Sequence, residues 1–181
     1  SQFGVDAYRY FLLREFPFGA DGRFSAKALV KRFNGDLAND LGNFVYRTLT
    51  MIEKYFDGKI PADTIDVSRL ANAGPLIEAL KDLDKTIDSA ISELSFTKAL
   101  DSIWSLINGA NKLVEDTKPW NLYKEGKTDD LSAFIVLLIQ ILKKVTFHIA
   151  PFMPQTAQAI SQQLEGAKIN KGSPLFPRKE Q

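Results

Sequence analysis

The chain contains no cysteine and a single histidine, His148, among its 181 residues. The first absence excludes disulfide scaffolds, thiol nucleophiles and thiolate metal sites. The second excludes any centre built on two imidazoles. Charge of one sign is missing too: 23 Lys and Arg stand against 22 Asp and Glu, for a net charge of +1. No global field draws the chain to nucleic acid or anionic lipid, so RNA binding would need a local patch. Ser1-Gln2-Phe3-Gly4-Val5-Asp6 has neither the basic nor the apolar part of a signal peptide. The longest apolar run, Phe134 to Leu142, is interrupted only by Gln140. It is well short of the roughly 20 residues that span a bilayer, and reads as a buried core helix. Together these absences fit a cytoplasmic protein with no membrane partner.

What remains is ordinary for one folded domain with a real core: 45% hydrophobic and 25% charged residues. Apolar residues recur with a helical period along nearly the whole chain, and no strand alternation of any length appears. Asp6 to Glu15 is a short amphipathic helix stopped by Pro17. Ser25 is placed to cap the next helix, which turns Leu29, Val30 and Phe33 inward. Asn34-Gly35-Asp36 predicts a break or kink, because glycine is costly inside a helix and aspartate favours a new cap. A longer helix follows from Leu37 to Phe56, with Leu41, Phe44, Val45, Thr48, Leu49 and Ile52 as its apolar stripe.

Pro75 opens another helix, whose stripe runs Leu76, Leu80, Leu83, Ile87, Ile91 and Leu94. Ser95 is expected to cap the next, with Phe96, Leu100, Ile103, Ile107 and Val114 inward and Lys118-Pro119-Trp120 at its end. Lys124 to Asp130 reads as a polar loop, Leu131 to Ala150 as the central helix and Gln155 to Leu164 as a last short one. The tail from Gly166 is loop-like. The fold class is all-α, an antiparallel bundle of four or five main helices.

Catalytic signatures are scarce. There is no phosphate-binding lysine loop and no dinucleotide glycine fingerprint. His148, at a helix end, reads as a packed or partly exposed residue rather than a catalytic one. The carboxylate pairs Asp36/Asp40 and Asp84/Asp88 share helix faces and read as solvated. No residue set suggests a metal or cofactor site, so a free-standing enzyme is disfavoured.

Two features suit binding. Asn39, Asn43 and Arg47 lie at i, i+4 and i+8, on one helix face. Their amides and planar donor fork fit the edges of unpaired bases, although such residues on a helix surface are often only solvated. Trp120 follows Pro119 at a helix end, where an indole can stand partly exposed and stack on a base, or instead cover the core. Trp104, between Leu100 and Ile107, reads as packing. Lys27, Lys31, Arg32, Arg47, Lys54 and Lys59 gather on the early helices, whereas Glu78 to Asp116 is mostly acidic. A bundle with one basic side would suit RNA; a solvated surface is the alternative.

Longer runs carry a family resemblance. Gly4-Val5-Asp6-Ala7-Tyr8-Arg9-Tyr10-Phe11-Leu12-Leu13-Arg14-Glu15 and Phe18-Gly19-Ala20-Asp21-Gly22-Arg23-Phe24-Ser25 resemble the segment after the catalytic core of bacterial methionyl-tRNA synthetases. Asn34-Gly35-Asp36-Leu37-Ala38-Asn39-Asp40-Leu41-Gly42-Asn43, with Arg47-Thr48, resembles that family's anticodon-binding helix. Lys118-Pro119-Trp120, Ala150-Pro151-Phe152-Met153-Pro154-Gln155-Thr156-Ala157 and Pro174-Leu175-Phe176-Pro177-Arg178 match in the family's order.

The resemblance covers essentially the whole chain and implies a helical anticodon-binding domain of the class I synthetase type. Residues 1–24 would be the linking helix and turn after the catalytic domain, 25–165 the bundle and 166–181 a tail. In the family the parent enzyme activates methionine with ATP and transfers it to tRNAs with a CAU anticodon. The two catalytic signatures, His-x-Gly-His and Lys-Met-Ser-Lys-Ser, are not in this sequence. The expectation is a fragment without the catalytic domain, inactive alone and holding no cofactor itself, with tRNA-Met and the catalytic domain of the same chain as partners.

The family's anticodon contacts fall on Asn43, Arg47 and Trp120, with Asn39 a neighbour on the same face. Arg9 would act at a domain interface or near the inner stem of the tRNA. The surface from Val5 to Phe18 would face the catalytic domain. Competing readings are the anticodon domain of another class I synthetase, such as the cysteine or isoleucine enzyme, and a helical protein–protein interaction module. In the latter, the tail from Pro174 to Arg178 would be a docking strand or an intramolecular wrap.

Overall fold

An apolar stripe on a helix has to be covered, and in this chain the stripes cover one another. The computed structural model describes residues 3–166, 168–169 and 171–179. Among them there is no strand. Helix α1 spans Val5–Glu15 and α2 Ala26–Arg32. A π-helical segment, Phe33–Gly42, leads straight into α3, Asn43–Phe56. A 3-10 turn at Val67–Arg69 precedes α4, Gly74–Ser92, and α5, Phe96–Thr117. The short α6 is Pro119–Lys124, followed by α7, Thr128–Ile149, and α8, Pro154–Leu164.

Helix α7 is the centre, touching α3, α4, α5, α6 and α8. Every residue from Ala133 to Ile139 is 0% exposed. Side chains of this size each contribute about 1.5–3 kcal/mol by leaving water. Length and composition alone would let α7 cross a membrane, but 72% of its apolar window is buried inside the bundle. The apolar character that could have met lipid is spent on neighbouring helices.

The N-terminal helix is fastened to the far end of the chain. Asp6 Oδ2 accepts a hydrogen bond from the Thr156 amide at 2.7 Å, doing for α8 what its own N-cap, Met153, does not. Arg9 donates from Nε to the Phe152 carbonyl at 2.9 Å and from Nη2 to that of Pro151 at 2.6 Å. These carbonyls lie just past the C-terminus of α7, where cations are favoured. Arg9 thus ties α1 to the end of α7 through two of its donors while the residue as a whole stays exposed. Val5, Leu12 and Phe18 do stay exposed.

Several local expectations are corrected. Asn34-Gly35-Asp36 does not break the helix; the chain continues with wider, π-type winding. Carbonyls in this segment find donors on α5: Trp104 Nε1 reaches the Asp36 carbonyl at 3.3 Å, and Asn111 Nδ2 that of Asp40 at 3.1 Å. Such side-chain donors offset the cost of leaving regular α winding. Ser25 caps α2 as expected, accepting from the Ala28 amide. Ser95 occupies the N-cap of α5 without a side-chain hydrogen bond.

Leu83 and Ile87 are buried, but Ile91 and Leu94 are 38% and 52% exposed. The reason is that α4 stops at Ser92 and the chain reverses through Leu94, at φ 54. The polar loop after Trp120 is shorter than expected, since α6 runs to Lys124 and α7 begins at Thr128. The carboxylates at 36 and 84 are not merely solvated. Asp36 Oδ2 accepts from the Tyr10 hydroxyl at 2.7 Å and from Arg32 at 3.1 Å. Asp84 meets Lys144 Nζ and His148 Nε2, each at 2.7 Å. His148 itself is a packed residue, 8% exposed.

Candidate nucleic-acid interface

Helix α3 is amphipathic: Phe44, Val45, Thr48, Leu49 and Ile52 are buried against the core. That fixes the rotation of the helix and leaves Asn43 and Arg47 half-buried at the edge of its inner face. Arg47 Nη1 lies 3.6 Å from Glu115 Oε1, on the last turns of α5. The Glu115 side chain is 71% exposed, so this pair is loose and water-screened. Asn43 makes no side-chain hydrogen bond among the described residues. Its amide and the Arg47 fork are therefore open to another acceptor or donor.

Trp120 stands just beyond Glu115 in the chain. Helix α5 ends at Thr117, its C-cap Lys118 takes a left-handed conformation at φ 50, and Pro119 starts α6 in a new direction. Pro119 is buried, which anchors the corner, while Trp120 is 42% exposed. Trp104 is 3% exposed and packs on Tyr10, with ring centroids 4.5 Å apart. Trp104 packs in the core as its spacing predicts, and of the two readings open for Trp120 the structure gives the partly exposed one. The structure brings Arg47 and Trp120 to the same end of the bundle, both beside the C-terminus of α5.

Asn39 is exposed on the π-helical segment one turn before Asn43. It is less free than the sequence suggests. Its Nδ2 donates to Asp40 Oδ1, and its Oδ1 accepts from Arg178 Nη2, both at 3.3 Å. The tail from Pro174 to Arg178 wraps back onto its own chain: Phe176 packs edge-on against Phe33, with centroids 5.8 Å apart. Asp40 is half-buried, and that burial raises its pKa above the usual carboxylate value. The hydrogen bond from Asn39 opposes this shift and nearby Asp36 adds to it.

The basic cluster is thinner than its sequence count. Arg32 is committed to Glu15 at 2.8 Å and Asp36 at 3.1 Å. Lys27, Lys31, Lys54 and Lys59 remain exposed. The sequence reading missed one neighbour altogether. Tyr55, in the last turn of α3, stacks on Tyr123 of α6, with ring centroids 4.8 Å apart and planes 30° from parallel. The one available signal was that Tyr123 lies three residues after Trp120, and so on the same side of a helix.

A family model described as tRNA synthetases class I (M) matches residues 1–49. The methionine–tRNA ligase of Caldanaerobacter subterraneus subsp. tengcongensis is 42% identical over 197 aligned positions, covering 98% of this chain. Methionine–tRNA ligase 1 of Bacillus anthracis is 37% identical over 99% of the chain. The chain spans about 30% of the length of these curated relatives. Among solved structures, the apo form of Mycobacterium tuberculosis methionyl-tRNA synthetase superposes with a TM-score of 0.88 at 30% identity, over 99% of this chain and 40% of that one. The same enzyme bound by methionyl-adenylate gives a TM-score of 0.84 at 31% identity, over 97% of this chain and 38% of that one. The sequence match runs nearly end to end and the helices superpose throughout, so the chain belongs to the methionine–tRNA ligase family, corresponding to a part of its members' length.

Proposed function

We propose that this chain is the anticodon-binding part of a methionine–tRNA ligase. It reads the CAU anticodon of tRNA-Met so that the catalytic domain of the same protein can attach methionine using ATP. Residues 1–24 form the connection to that domain, 25–165 the reading bundle and 166–181 a tail. The enzyme works in the cytoplasm without a membrane. One observation carries the reading: on a chain of this family, an open amide and guanidinium on α3 share an end of the bundle with an exposed indole.

The mechanism follows from what each group offers. Trp120 presents an aromatic face to a base splayed out of the anticodon loop, worth about 1–3 kcal/mol per stacked base. Asn43 and Arg47 hydrogen-bond to base edges, and Asn39 borders them. A wrong base leaves these groups desolvated and unpaired, at a cost of about 1–3 kcal/mol. Exposed lysines on α2 and α3 hold phosphates and make binding salt-sensitive.

The test is a titration of the chain at low salt with a CAU anticodon stem-loop and a GAU control, following tryptophan fluorescence. Trp104 is buried and supplies a constant background. Quenching by CAU alone, lost in Trp120→Phe, is expected. Equal losses for CAU and GAU on changing Asn43, Arg47 and Trp120 would refute base reading. A protein-interaction module is the second reading. It draws on the apolar groove between α4, α7 and α8, where Phe147 is 73% exposed. A folded chain that binds neither stem-loop would favour it.

A further inference from the structure

The anticodon reading uses Asn43, Arg47 and Trp120 and leaves the aromatic pair beside them without a role. Tyr55 is half-buried and packed against the core. Tyr123 covers one face of it, and Tyr123 itself is 55% exposed. Trp120 and Tyr123, three residues apart on α6, put two large aromatic surfaces on one side of a six-residue helix. The parts of both rings that remain in water gain nothing for the fold. Packing of α6 would be served as well by a smaller apolar residue, or by a ring turned inward.

The charges around the pair fit an anionic strand. Lys54 Nζ lies 5.4 Å from the centre of the Tyr55 ring, and Lys118 and Lys124 are exposed at the two ends of α6. Of the carboxylates close to the pair in the chain, Glu53 and Asp116 make no ion pair among the described residues, while two others are already neutralised. Asp57 is paired with Lys168 and Glu125 with Lys127, each at 2.7 Å. A stacked aromatic surface bordered by uncommitted lysines is the arrangement with which proteins hold single-stranded nucleic acid.

We propose that Tyr123, backed by Tyr55 and flanked by Lys54, is a second stacking platform. It takes an unpaired base of the RNA loop adjacent to the one held by Trp120. This inference rests on the anticodon reading and adds a binding surface to it. Because every base has an aromatic face, this platform supplies affinity and fixes the path of the loop without reading sequence.

The experiment titrates the wild-type chain, Tyr123→Phe, Tyr123→Ala and Trp120→Ala with the CAU and GAU stem-loops. A further set of CAU loops carries an abasic nucleotide at each unpaired position of the loop in turn. Tyr123→Ala is expected to weaken binding about tenfold or more, by the same factor for both anticodons. Tyr123→Phe keeps wild-type affinity, which separates stacking from loss of the hydroxyl. One abasic position reproduces the loss, and combining it with Tyr123→Ala adds nothing further. If Trp120→Ala weakens binding but Tyr123→Ala does not, the platform is overturned and the anticodon reading stands. A Tyr123→Ala loss that no abasic position reproduces also overturns it, since the effect then runs through Tyr55 packing. If the folded wild-type chain binds no stem-loop, both readings fall.

Discussion

Asn34 holds the backbone of Lys179 with both ends of its carboxamide. Nδ2 donates to the Lys179 carbonyl at 2.8 Å, and Oδ1 accepts from its amide at 2.9 Å. This two-sided grip seats the tail on the π-helical segment and brings Arg178 to Asn39. Its position beside the proposed reading face gives the tail a role in shaping that face.

Asn34→Ala removes both bonds and leaves no substitute donor. Two neutral hydrogen bonds are together worth roughly 1–3 kcal/mol. The melting temperature should fall, and the Lys179 amide should exchange with solvent much faster. Asn34→Asp keeps only the acceptor and should lie between. Unchanged exchange at Lys179 would mean that Phe176 against Phe33 is enough to hold the tail.

Tyr10 is 0% exposed, and its hydroxyl donates to Asp36 Oδ2 at 2.7 Å. Burial, and then the Asp36 charge, push the phenol well above its usual pKa, so it remains a donor throughout the accessible pH range. Tyr10→Phe deletes one bond to a carboxylate, typically worth about 1.5–3 kcal/mol. Arg32 still satisfies Asp36, so the loss should fall at the low end of that range. Urea unfolding would measure it. No loss would show that the bond only replaces one that Asp36 makes to water.

Most of the fold was legible because most of it is periodic. The stripe Phe44, Val45, Thr48, Leu49, Ile52 predicts which side of α3 is buried, and hence where Asn43 and Arg47 emerge. Pro119 suits the first turn of a helix and so marks the corner, but whether Trp120 faced water or the core was open in the sequence. What was hidden is non-local. The π winding through Gly35 depends on Trp104 and Asn111, donors some seventy residues further along the chain. Local propensity contains only the cost at Asn34-Gly35-Asp36 and not this compensation. The meetings of Asn34 with Lys179 and of Tyr55 with Tyr123 are equally long-range, and neither residue type announces its partner.

Arg47 approaches Glu115 at 3.6 Å, with a carboxylate that is mostly in water. So exposed a pair contributes little to folding, and Glu115→Gln should leave the melting temperature nearly unchanged. Its effect should appear on RNA. Removing the carboxylate frees the guanidinium and takes a negative charge away from the proposed binding face. Stem-loop affinity should rise a few-fold at low salt, and the gain should shrink as salt screens the charge. Weaker binding instead would assign Glu115 to orienting Arg47, as a carboxylate that pre-sets the donor fork.

Asp40 gives a prediction whose sign depends on pH. Burial of its carboxyl raises its pKa in the folded chain, against the hydrogen bond from Asn39. A folded-state pKa above the unfolded one means that the native chain binds this proton more tightly. The resulting stability is fully present below the unfolded value of about 3.9 and is lost as pH rises through the higher folded value. At neutral pH the ionised Asp40 therefore weakens the fold. Asp40→Asn removes the charge and keeps an oxygen that can accept from Asn39. The variant should melt higher than wild type at pH 7, and the gap should close as the pH is lowered toward 3. Thermal melts across that range decide it. A variant less stable than wild type at pH 7 would mean that the charge strengthens the Asn39 hydrogen bond by more than burial costs.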